Sequence, residues 1–232
     1  MPRPRNIVVL TGAGISAESG VPTFRGPDGL WEGERVEDVA TPQAFRRDPA
    51  RVQRFYDARR AALLNVAPNA AHLALAQLDA DWPGELLIVT QNVDDLHERG
   101  GARRLLHMHG ELARALCTGC GASVPAPAML IDDPPCPRCT ASRLRPDIVW
   151  FGEMPYHMTA IEAAIDACDL FVSIGTSGAV YPAAGFVDMA RAAGARCLEL
   201  NLEPSAGTPL FDEARHGRAG TLVPAWVAAM LG

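Results

Sequence analysis

Short runs of apolar residues recur along the chain at intervals that suit a parallel β-sheet. Four such runs are rich in Val, Ile and Leu and end at polar or glycine residues: Ile7–Leu10, Leu86–Val89, Leu170–Ile174 and Arg196–Leu200. Continuous apolar runs of this length are typical of strands that are buried on both faces. They predict the inner strands of a parallel sheet.

Longer segments with helical spacing lie between these runs: Pro49–Leu64, Ala70–Asp79, Thr159–Ala167, Ala183–Ala193 and Pro224–Leu231. In the second of them Leu73, Leu75 and Leu78 lie among alanines, so we expect that helix to be mostly buried. Alternating strands and helices predict an α/β fold with a Rossmann-like parallel sheet.

Two regions interrupt this alternation. Residues 20–42 contain too many glycines and prolines for a strand or a long helix, and a loop of this length is usually functional. Residues 112–145 carry two cysteine pairs and proline-rich connections. We therefore assign residues 1–111 and 146–232 to the Rossmann-like domain and 112–145 to a small inserted module.

Composition limits the function classes. The 232 residues are 48% hydrophobic and 21% charged, with a formal net charge of −6, which argues against direct nucleic-acid binding. No apolar run approaches the roughly 18 residues of a membrane span. The run Ile7–Leu10 leads directly into a glycine turn and does not resemble a signal peptide, so we expect a cytoplasmic protein. All basic residues are arginine.

Four of the six cysteines form two CxxC pairs, Cys117/Cys120 and Cys136/Cys139, with 15 residues between the pairs. Two tight turns that each present two thiolates predict a tetrahedral Zn²⁺ site. Four thiolates fill every position, so we expect a structural metal. A redox pair and a nucleic-acid-binding zinc ribbon are the alternatives.

The first apolar run is followed by Gly12-Ala13-Gly14-Ile15-Ser16-Ala17, which fits the dinucleotide pattern G-x-G-x-x-G/A. Glycine turns after strands are common, and the acidic ribose ligand of a dehydrogenase, expected about 20 residues later, would fall in the breaker-rich region. Two further polar turns, Gly175–Ser177 and Asn201–Glu203, follow other predicted strands. Such turns meet in one crevice at the sheet edge.

A third group comprises Gln91, Asn92 and Asp94 after the second run, followed by His107 and His109. A histidine beside a nucleotide crevice, together with polar residues that orient a ribose, suits general-base catalysis. Two alternatives remain at this point: the histidines could be structural, or the His-x-His pair could bind a metal.

Seven ordered motifs now decide the interpretation: GAGISAESGVPTFRG, TQNVDDLHERG, HMHGEL, the paired CxxC, RPDIVWFGE, GTSGAVYPAAGF and NLEPS. Together they resemble the sirtuins, and most closely the bacterial class III sirtuins, from Ile7 to Leu231. The resemblance implies a Rossmann-type domain and a small zinc module with NAD and a peptide in the cleft between them. It also assigns residues 20–64 to the cofactor loop and the helical part of the small domain.

The resemblance implies residue roles. His109, which directly precedes the glycine, is the catalytic histidine, with Asn92 and Asp94 beside it. The peptide would be bound as an added strand at the residues Phe151, Gly152, Glu153, Gly178 and Val180. The implied NAD contacts are Gly12, Ala13, Gly14, Ile15, Ser16, Glu18, Phe24, Arg25, Trp31, Gln91, Asn92, Asp94, Gly175, Thr176, Ser177, Asn201, Glu203 and Ala219.

The implied reaction is removal of acyl groups from lysine side chains of proteins. Nicotinamide leaves NAD, the acyl oxygen attacks the ribose anomeric carbon, and His109 takes a proton from the ribose hydroxyls. The products would be nicotinamide, free lysine and O-acyl-ADP-ribose.

Tyr56 and Arg59 are three residues apart, so they share one face of a helix. An amphipathic helix with a solvated arginine is the plain interpretation of the pair. In class III sirtuins this spacing lines the acyl pocket and binds the carboxylate of succinyl- or malonyl-lysine, as suits a guanidinium and a phenol. The resemblance therefore implies both deacetylation and desuccinylation or demalonylation.

Three other classes compete with this function. A dehydrogenase lacks the expected ribose acid, and a non-enzymatic zinc ribbon would leave the cofactor turns unexplained. A mono-ADP-ribosyltransferase would use the same NAD site and is the strongest rival.

Overall fold

Six parallel strands form the main sheet in the computed structural model, which describes residues 3–23, 30–31, 33–140 and 143–232. The strands in the described residues are β1 (Asn6–Thr11), β2 (Leu30–Trp31), β3 (Glu34–Arg35), β4 (Glu85–Thr90), β5 (Leu105–His107), β6 (Gly110–Cys117), β7 (Ser123–Pro125), β8 (Leu144–Ile148), β9 (Leu170–Ile174), β10 (Arg196–Asn201) and β11 (Glu213–His216).

The helices are α1 (Ala13–Ser16), α2 (Val36–Val39), α3 (Pro42–Arg47), α4 (Pro49–Leu63), α5 (Ala70–Asp81), α6 (Leu96–Gly100), α7 (Met158–Asp166), α8 (Phe186–Ala192) and α9 (Ala219–Leu231). Short 3₁₀ turns cover Ala17–Ser19, Ala183–Gly185 and Thr208–Leu210. None of the helices in the described ranges is both long and apolar enough to cross a membrane.

The main sheet has the strand order β11-β10-β9-β1-β4-β5. Its four inner strands are the four predicted apolar runs, with small differences in their ends. β1 is paired on both sides, so that Val9 lies opposite Ile88 and Val172. Successive strands are added on one side of β1 as far as β5, and on its other side from β9 onwards. The sheet therefore has a switch point between β1 and β9, where a ligand crevice is expected. The predicted α/β, Rossmann-like fold is confirmed.

One helix prediction needs correction, whereas helix α5 is mostly buried as predicted. The last helix begins at Ala219, not at Pro224, because the Glu18 carboxylate accepts a hydrogen bond from the Gly220 N–H in its first turn at 2.8 Å and the helix packs on α5. In α5, Leu75 and Leu78 are buried but Leu73 is 54% exposed. Residues 73 and 75 are two positions apart and therefore point to nearly opposite sides of a helix.

The small module is a three-stranded antiparallel sheet in the order β7-β6-β8, and helix α4 packs beside it. The α4 residue Asp57 accepts hydrogen bonds from the backbone N–H groups of Leu130 (2.9 Å) and Ile131 (3.0 Å). Gln53 of the same helix donates to the Leu144 carbonyl at 3.1 Å. Helix α4 and the cysteine-bearing segment are therefore joined by buried polar contacts.

Candidate active site

The turns after β1 and β9 interlock through glycines. The Gly14 N–H donates to the Gly175 carbonyl at 2.9 Å, and a Cβ on Gly14 would lie 2.7 Å from the Gly175 Cα. Gly175 has φ +63°, and a Cβ there would meet the Ile15 backbone N at 2.5 Å. Only residues without a side chain permit this approach. The two predicted cofactor turns thus lie side by side at the switch point.

The turn after β10 joins the same edge. Asn201 donates from Nδ2 to the Thr176 carbonyl at 2.8 Å, and the Thr176 hydroxyl bonds the Ser173 hydroxyl at 2.8 Å. The Gly175 N–H donates to the Leu200 carbonyl at 3.0 Å. The three turns predicted to meet in one crevice are therefore hydrogen-bonded to one another.

A buried polar network lies beside the first turn. The Ser16 hydroxyl donates to Asp94 Oδ2 at 3.0 Å and accepts from Asn92 Nδ2 at 3.1 Å. The His72 ring nitrogen Nε2 lies 3.4 Å from the same hydroxyl. Burial raises the pKa of Asp94, and hydrogen bonds from the Leu96 N–H and the Ser16 hydroxyl act against that shift. The network fixes Asn92 and Asp94 through Ser16, which lies 76 and 78 residues before them in the sequence.

His109 is oriented by the loop after β4. Its Nδ1 lies 3.0 Å from the Gln91 carbonyl, and a carbonyl only accepts, so Nδ1 carries the hydrogen and Nε2 the lone pair. Burial lowers the pKa of His109, and the bond to Gln91 offsets this only in part. A neutral imidazole of this tautomer is suited to act as a base at neutral pH.

His107 is held on both nitrogens. Its Nδ1 donates to the Asn92 carbonyl at 3.0 Å, and its Nε2 lies 2.7 Å from Glu98 Oε1. Burial alone lowers the pKa of His107, but the Glu98 carboxylate outweighs it and the net pKa is raised. The geometry therefore distinguishes the two histidines and leaves His109 as the better base.

The four paired cysteines converge on one point. Their Sγ atoms all lie within 4.8 Å of one another, with Cys117 and Cys139 at 3.6 Å and Cys120 and Cys136 at 3.9 Å. Tetrahedral zinc with Zn–S bonds of about 2.3 Å places its sulfur ligands about 3.8 Å apart. The donor set fits Zn²⁺ and leaves no coordination position for a substrate.

Tyr56 and Arg59 lie on the buried face of α4, with 0% and 7% of their surfaces exposed. The Arg59 guanidinium carbon lies 5.6 Å from the centre of the Phe55 ring. The Tyr56 phenol oxygen accepts a hydrogen bond from the Trp150 indole N–H at 3.0 Å. A solvated arginine on an amphipathic helix is thereby ruled out.

Two exposed apolar edges match the segments implied to bind a peptide. Phe151 is 50% exposed and Val180 is 37% exposed, beside Gly152 (φ +91°) and Gly178 (φ +64°) respectively. The Glu153 carboxylate is bound by both terminal nitrogens of Arg145 at 2.8 Å. Its side chain is therefore committed to the turn, and its backbone N–H is also bonded there, to the Trp150 carbonyl at 2.9 Å.

The other predicted cofactor residues are placed as follows. The Ile15 side chain is fully buried in the core, so only its backbone faces the crevice. Glu18 is bonded to the first turn of α9, where Ala219 is the first helical residue. Glu203 is exposed.

Trp31 lies in β2, and Phe24 and Arg25 lie outside the described residues. Ala13 begins α1, and Ser177 accepts through its carbonyl from the Ala206 N–H at 3.2 Å.

Sequence reasoning missed His72 and Trp150 as parts of the site. His72 lies 56 residues from Ser16, in a helix whose pattern indicates only burial. Trp150 is part of the RPDIVWFGE motif, but nothing in its spacing points to Tyr56, which lies 94 residues away. Only the fold brings these pairs together.

Comparison with known proteins gives consistent matches over the chain. The model of the Sir2 family matches residues 12–182. An NAD-dependent protein deacylase of Bdellovibrio bacteriovorus is 56% identical over 98% of this chain and 97% of its own length. A solved complex of a Sir2 homologue with NAD has a TM-score of 0.90 and 40% identity, covering 98% of this chain and 90% of that one.

A further solved structure contains a Sir2 protein with a deacetylated p53 peptide and 3'-O-acetyl ADP-ribose. It has a TM-score of 0.85 and 28% identity, covering 97% of this chain and 94% of that one.

Proposed function

Because the chain belongs to the Sir2 family, we infer its activity from that family together with the geometry of the site. The protein is an NAD-dependent protein deacylase and carries one structural Zn²⁺ on its four paired cysteines. For the chain itself, this conclusion rests on the fact that the predicted site residues lie together. The interlocked glycine turns, the Ser16–Asn92–Asp94 network and the oriented His109 all lie at one edge of the sheet.

The assignment of roles within that site is our proposal. His109 acts as general base through Nε2, which no group in the described ranges hydrogen-bonds. Asn92 and Asp94, fixed by Ser16, orient the nicotinamide ribose. The turns at Gly12–Ser16, Gly175–Ser177 and Asn201–Glu203 hold the phosphates and the adenosine, since small residues and backbone N–H groups there permit close approach.

The substrate is proposed to be a protein segment that binds as an extended strand between two edges. The Phe151–Glu153 turn and the Gly178–Val180 turn supply exposed apolar surface on either side, between which a strand could be added. The division into a Rossmann-like domain and a small module remains a proposal, with α4 attached to the module by Asp57 and Gln53. We place the enzyme in the cytoplasm, where thiols stay reduced and can hold zinc.

The acyl specificity is proposed to include succinyl and malonyl groups. Arg59 and Tyr56 are buried together on one helix face, and a guanidinium and a phenol suit a carboxylate that has lost its water. Acetyl groups lack that carboxylate, so the pair is expected to matter little for them.

The activity is tested by incubating the protein with NAD and acetyl-, succinyl- and malonyl-lysine peptides and identifying products by mass spectrometry. Deacylation yields free lysine peptide, nicotinamide and O-acyl-ADP-ribose. A mono-ADP-ribosyltransferase would instead leave ADP-ribose on the protein or peptide, and NAD labelled in its adenosine separates the two.

The acyl pocket is tested separately. The Arg59→Met and Tyr56→Phe double variant should lose desuccinylation by about 100-fold or more, the range of two hydrogen bonds to a charged group, with far less change in deacetylation. Arg54→Met on the exposed side of the same helix is the matched control. Equal loss of both activities would refute the pocket assignment without touching the deacylase assignment.

A further inference from the structure

Trp150 lies between the two regions proposed to face the substrate, the Phe151–Glu153 turn and helix α4, and it has no role in the proposal above. The indole is 2% exposed, lies directly before the Phe151–Glu153 turn, and contacts Tyr56 on α4. We propose that Trp150 is a positioning residue for acyl specificity, because its indole N–H holds the Tyr56 phenol in the orientation that binds an acidic acyl group. This inference rests on the proposed acyl pocket.

The direction of the hydrogen bond carries the inference. An indole N–H can only donate, so in the 3.0 Å contact the Tyr56 oxygen is the acceptor. The phenol hydrogen is therefore directed away from the indole. A hydroxyl that accepts one hydrogen bond becomes a stronger donor of its own hydrogen.

The phenol also stays in the form that can donate. Burial raises the pKa of Tyr56, and although the hydrogen bond from Trp150 and the charge of Arg59 act in the other direction, the net pKa remains above its usual value. Tyr56 thus keeps its hydrogen across the physiological range.

The indole is held in place from several sides. The Arg145 guanidinium carbon lies 3.9 Å from the centre of the Trp150 ring, and the Phe45 ring lies 5.3 Å away. The Trp150 backbone N–H donates to the Glu153 carboxylate at 2.9 Å, and Arg145 binds the same carboxylate. The donor is therefore fixed before a substrate arrives, so that little side-chain entropy is lost when the acyl group binds.

The selectivity follows from the chemistry of the acyl group. A succinyl or malonyl carboxylate that leaves water needs donors in fixed positions, and it gains from a phenol whose orientation is already set. An acetyl methyl group makes no hydrogen bond, so it gains nothing from that orientation. Trp150 is thus expected to act on the ratio of the two activities.

The test is Trp150→Phe, which keeps an aromatic ring and removes the N–H. We expect the ratio of kcat/KM for succinyl-lysine over acetyl-lysine peptide to fall about tenfold, the size of one hydrogen bond to a charged group, mainly through a higher KM. Trp82→Phe is the matched control, since Trp82 is also buried and its indole N–H donates to the Arg5 carbonyl at 3.2 Å. That control should leave the ratio unchanged.

A double-mutant cycle separates this mechanism from general damage to the pocket. If Trp150 acts through the phenol, Trp150→Phe should have no further effect on the ratio once Tyr56→Phe is present. An additive loss in the double variant, or an unchanged ratio in Trp150→Phe, would overturn the proposal. The indole N–H resonance of Trp150 should also shift in the Tyr56→Phe protein without any substrate, and a resonance that does not move would likewise refute the contact.

The cycle also distinguishes the possible failures. If Tyr56→Phe itself fails to change the ratio, the acyl pocket is wrong. If Tyr56→Phe lowers the ratio and Trp150→Phe does not, only the role of Trp150 is wrong.

Discussion

His107 and His109 both donate an Nδ1 hydrogen bond to a carbonyl of the 91–92 loop, yet their Nε2 atoms differ. Nε2 of His107 bonds the Glu98 carboxylate, which raises the pKa against the effect of burial. His109 has no carboxylate partner among the described residues, and burial lowers its pKa. The environment of each ring, and not its place in the motif, raises the pKa of His107 and lowers that of His109, which suits the proposed role of His109 as the base.

Replacing His109 by alanine should lower kcat for deacylation by about 10²–10⁴-fold, the usual contribution of a general base. NAD binding, measured by calorimetry, should change little, because the turns proposed to hold the phosphates and the adenosine do not involve His109. His157→Asn, at an exposed residue with positive φ, is the control. Near-normal turnover in His109→Ala would remove His109 from the mechanism.

The rate should also depend on pH in a defined direction. His109 acts as base only when Nε2 is unprotonated, and its pKa lies below the usual 6.5 because the ring is buried. Single-turnover deacetylation of a neutral acetyl peptide is therefore expected to be flat from about pH 7 to 8 and to fall with an acid limb centred below 6.5. A limb centred above pH 7 would contradict the lowered pKa.

At the scale of elements, α4 joins the cysteine-bearing segment to the proposed acyl pocket. One face of the helix carries Tyr56 and Arg59, while Gln53 and Asp57 bond the segment that bears the cysteines. Asp48 caps the helix at its start by accepting from the Arg51 N–H at 3.0 Å. A structural metal can therefore influence catalysis without touching a substrate.

Removal of zinc should abolish deacylation for this reason. Zinc binding contributes roughly 10–16 kcal/mol to small modules of this kind, so chelation should disorder the module and leave α4 without its partners. Metal content and thiol titration measure this: one zinc should be lost and four thiols should become reactive, whereas Cys168 and Cys197 stay buried. A zinc-free protein with full activity would contradict the coupling.

At the scale of the whole molecule, a crevice is expected because successive strands are added on one side of β1 up to β5 and on its other side from β9, and this switch brings turns from distant sequence into contact. The polar groups beneath it are buried among core residues. His72 and His97 lie there with ring centres 5.0 Å apart, and burial lowers their pKa values to about 4 and about 3. The stability of the whole fold is therefore linked to pH.

The sign of that linkage is fixed. Both histidines stay neutral in the folded state and take up a proton near pH 6.5 when unfolded. Their contribution to the free energy of unfolding is therefore full above pH 6.5 and is lost as pH falls towards 4. The free energy of unfolding should decrease by up to about 1.4 kcal/mol per pH unit for each histidine in this window. Denaturant titrations at pH 7, 6 and 5 measure it.

His72→Gln should flatten this pH dependence. His72 closes a capping box by accepting from the Asn69 N–H at 3.3 Å, and glutamine serves at that position, so α5 keeps its cap while one titrating group is removed. His157→Asn should keep the wild-type slope. An unchanged slope in His72→Gln would show that His72 does not titrate as described.

The sequence by itself determined the four inner strands, most helices, the zinc ligands and the family, because each depends on residues that are close together along the chain. Apolar runs, CxxC spacing and ordered motifs are local signals. It misplaced the start of α9, because Glu18, about 200 residues away, caps that helix. It predicted correctly that α5 is mostly buried, but it did not show that Leu73 lies on the exposed side, because a composition pattern does not say which side of a helix faces the core.

Only the tertiary structure decided which histidine is free to act as a base, how Ser16 and His72 hold Asn92 and Asp94, and that Trp150 donates to Tyr56. The contacts of His72 with Ser16 and of Trp150 with Tyr56 join residues 56 and 94 positions apart, and the strength of every such contact depends on burial and direction, which one-dimensional spacing does not contain. A hydrogen bond or a pKa shift is a property of where the chain brings two groups together, so it exists only once the fold has formed.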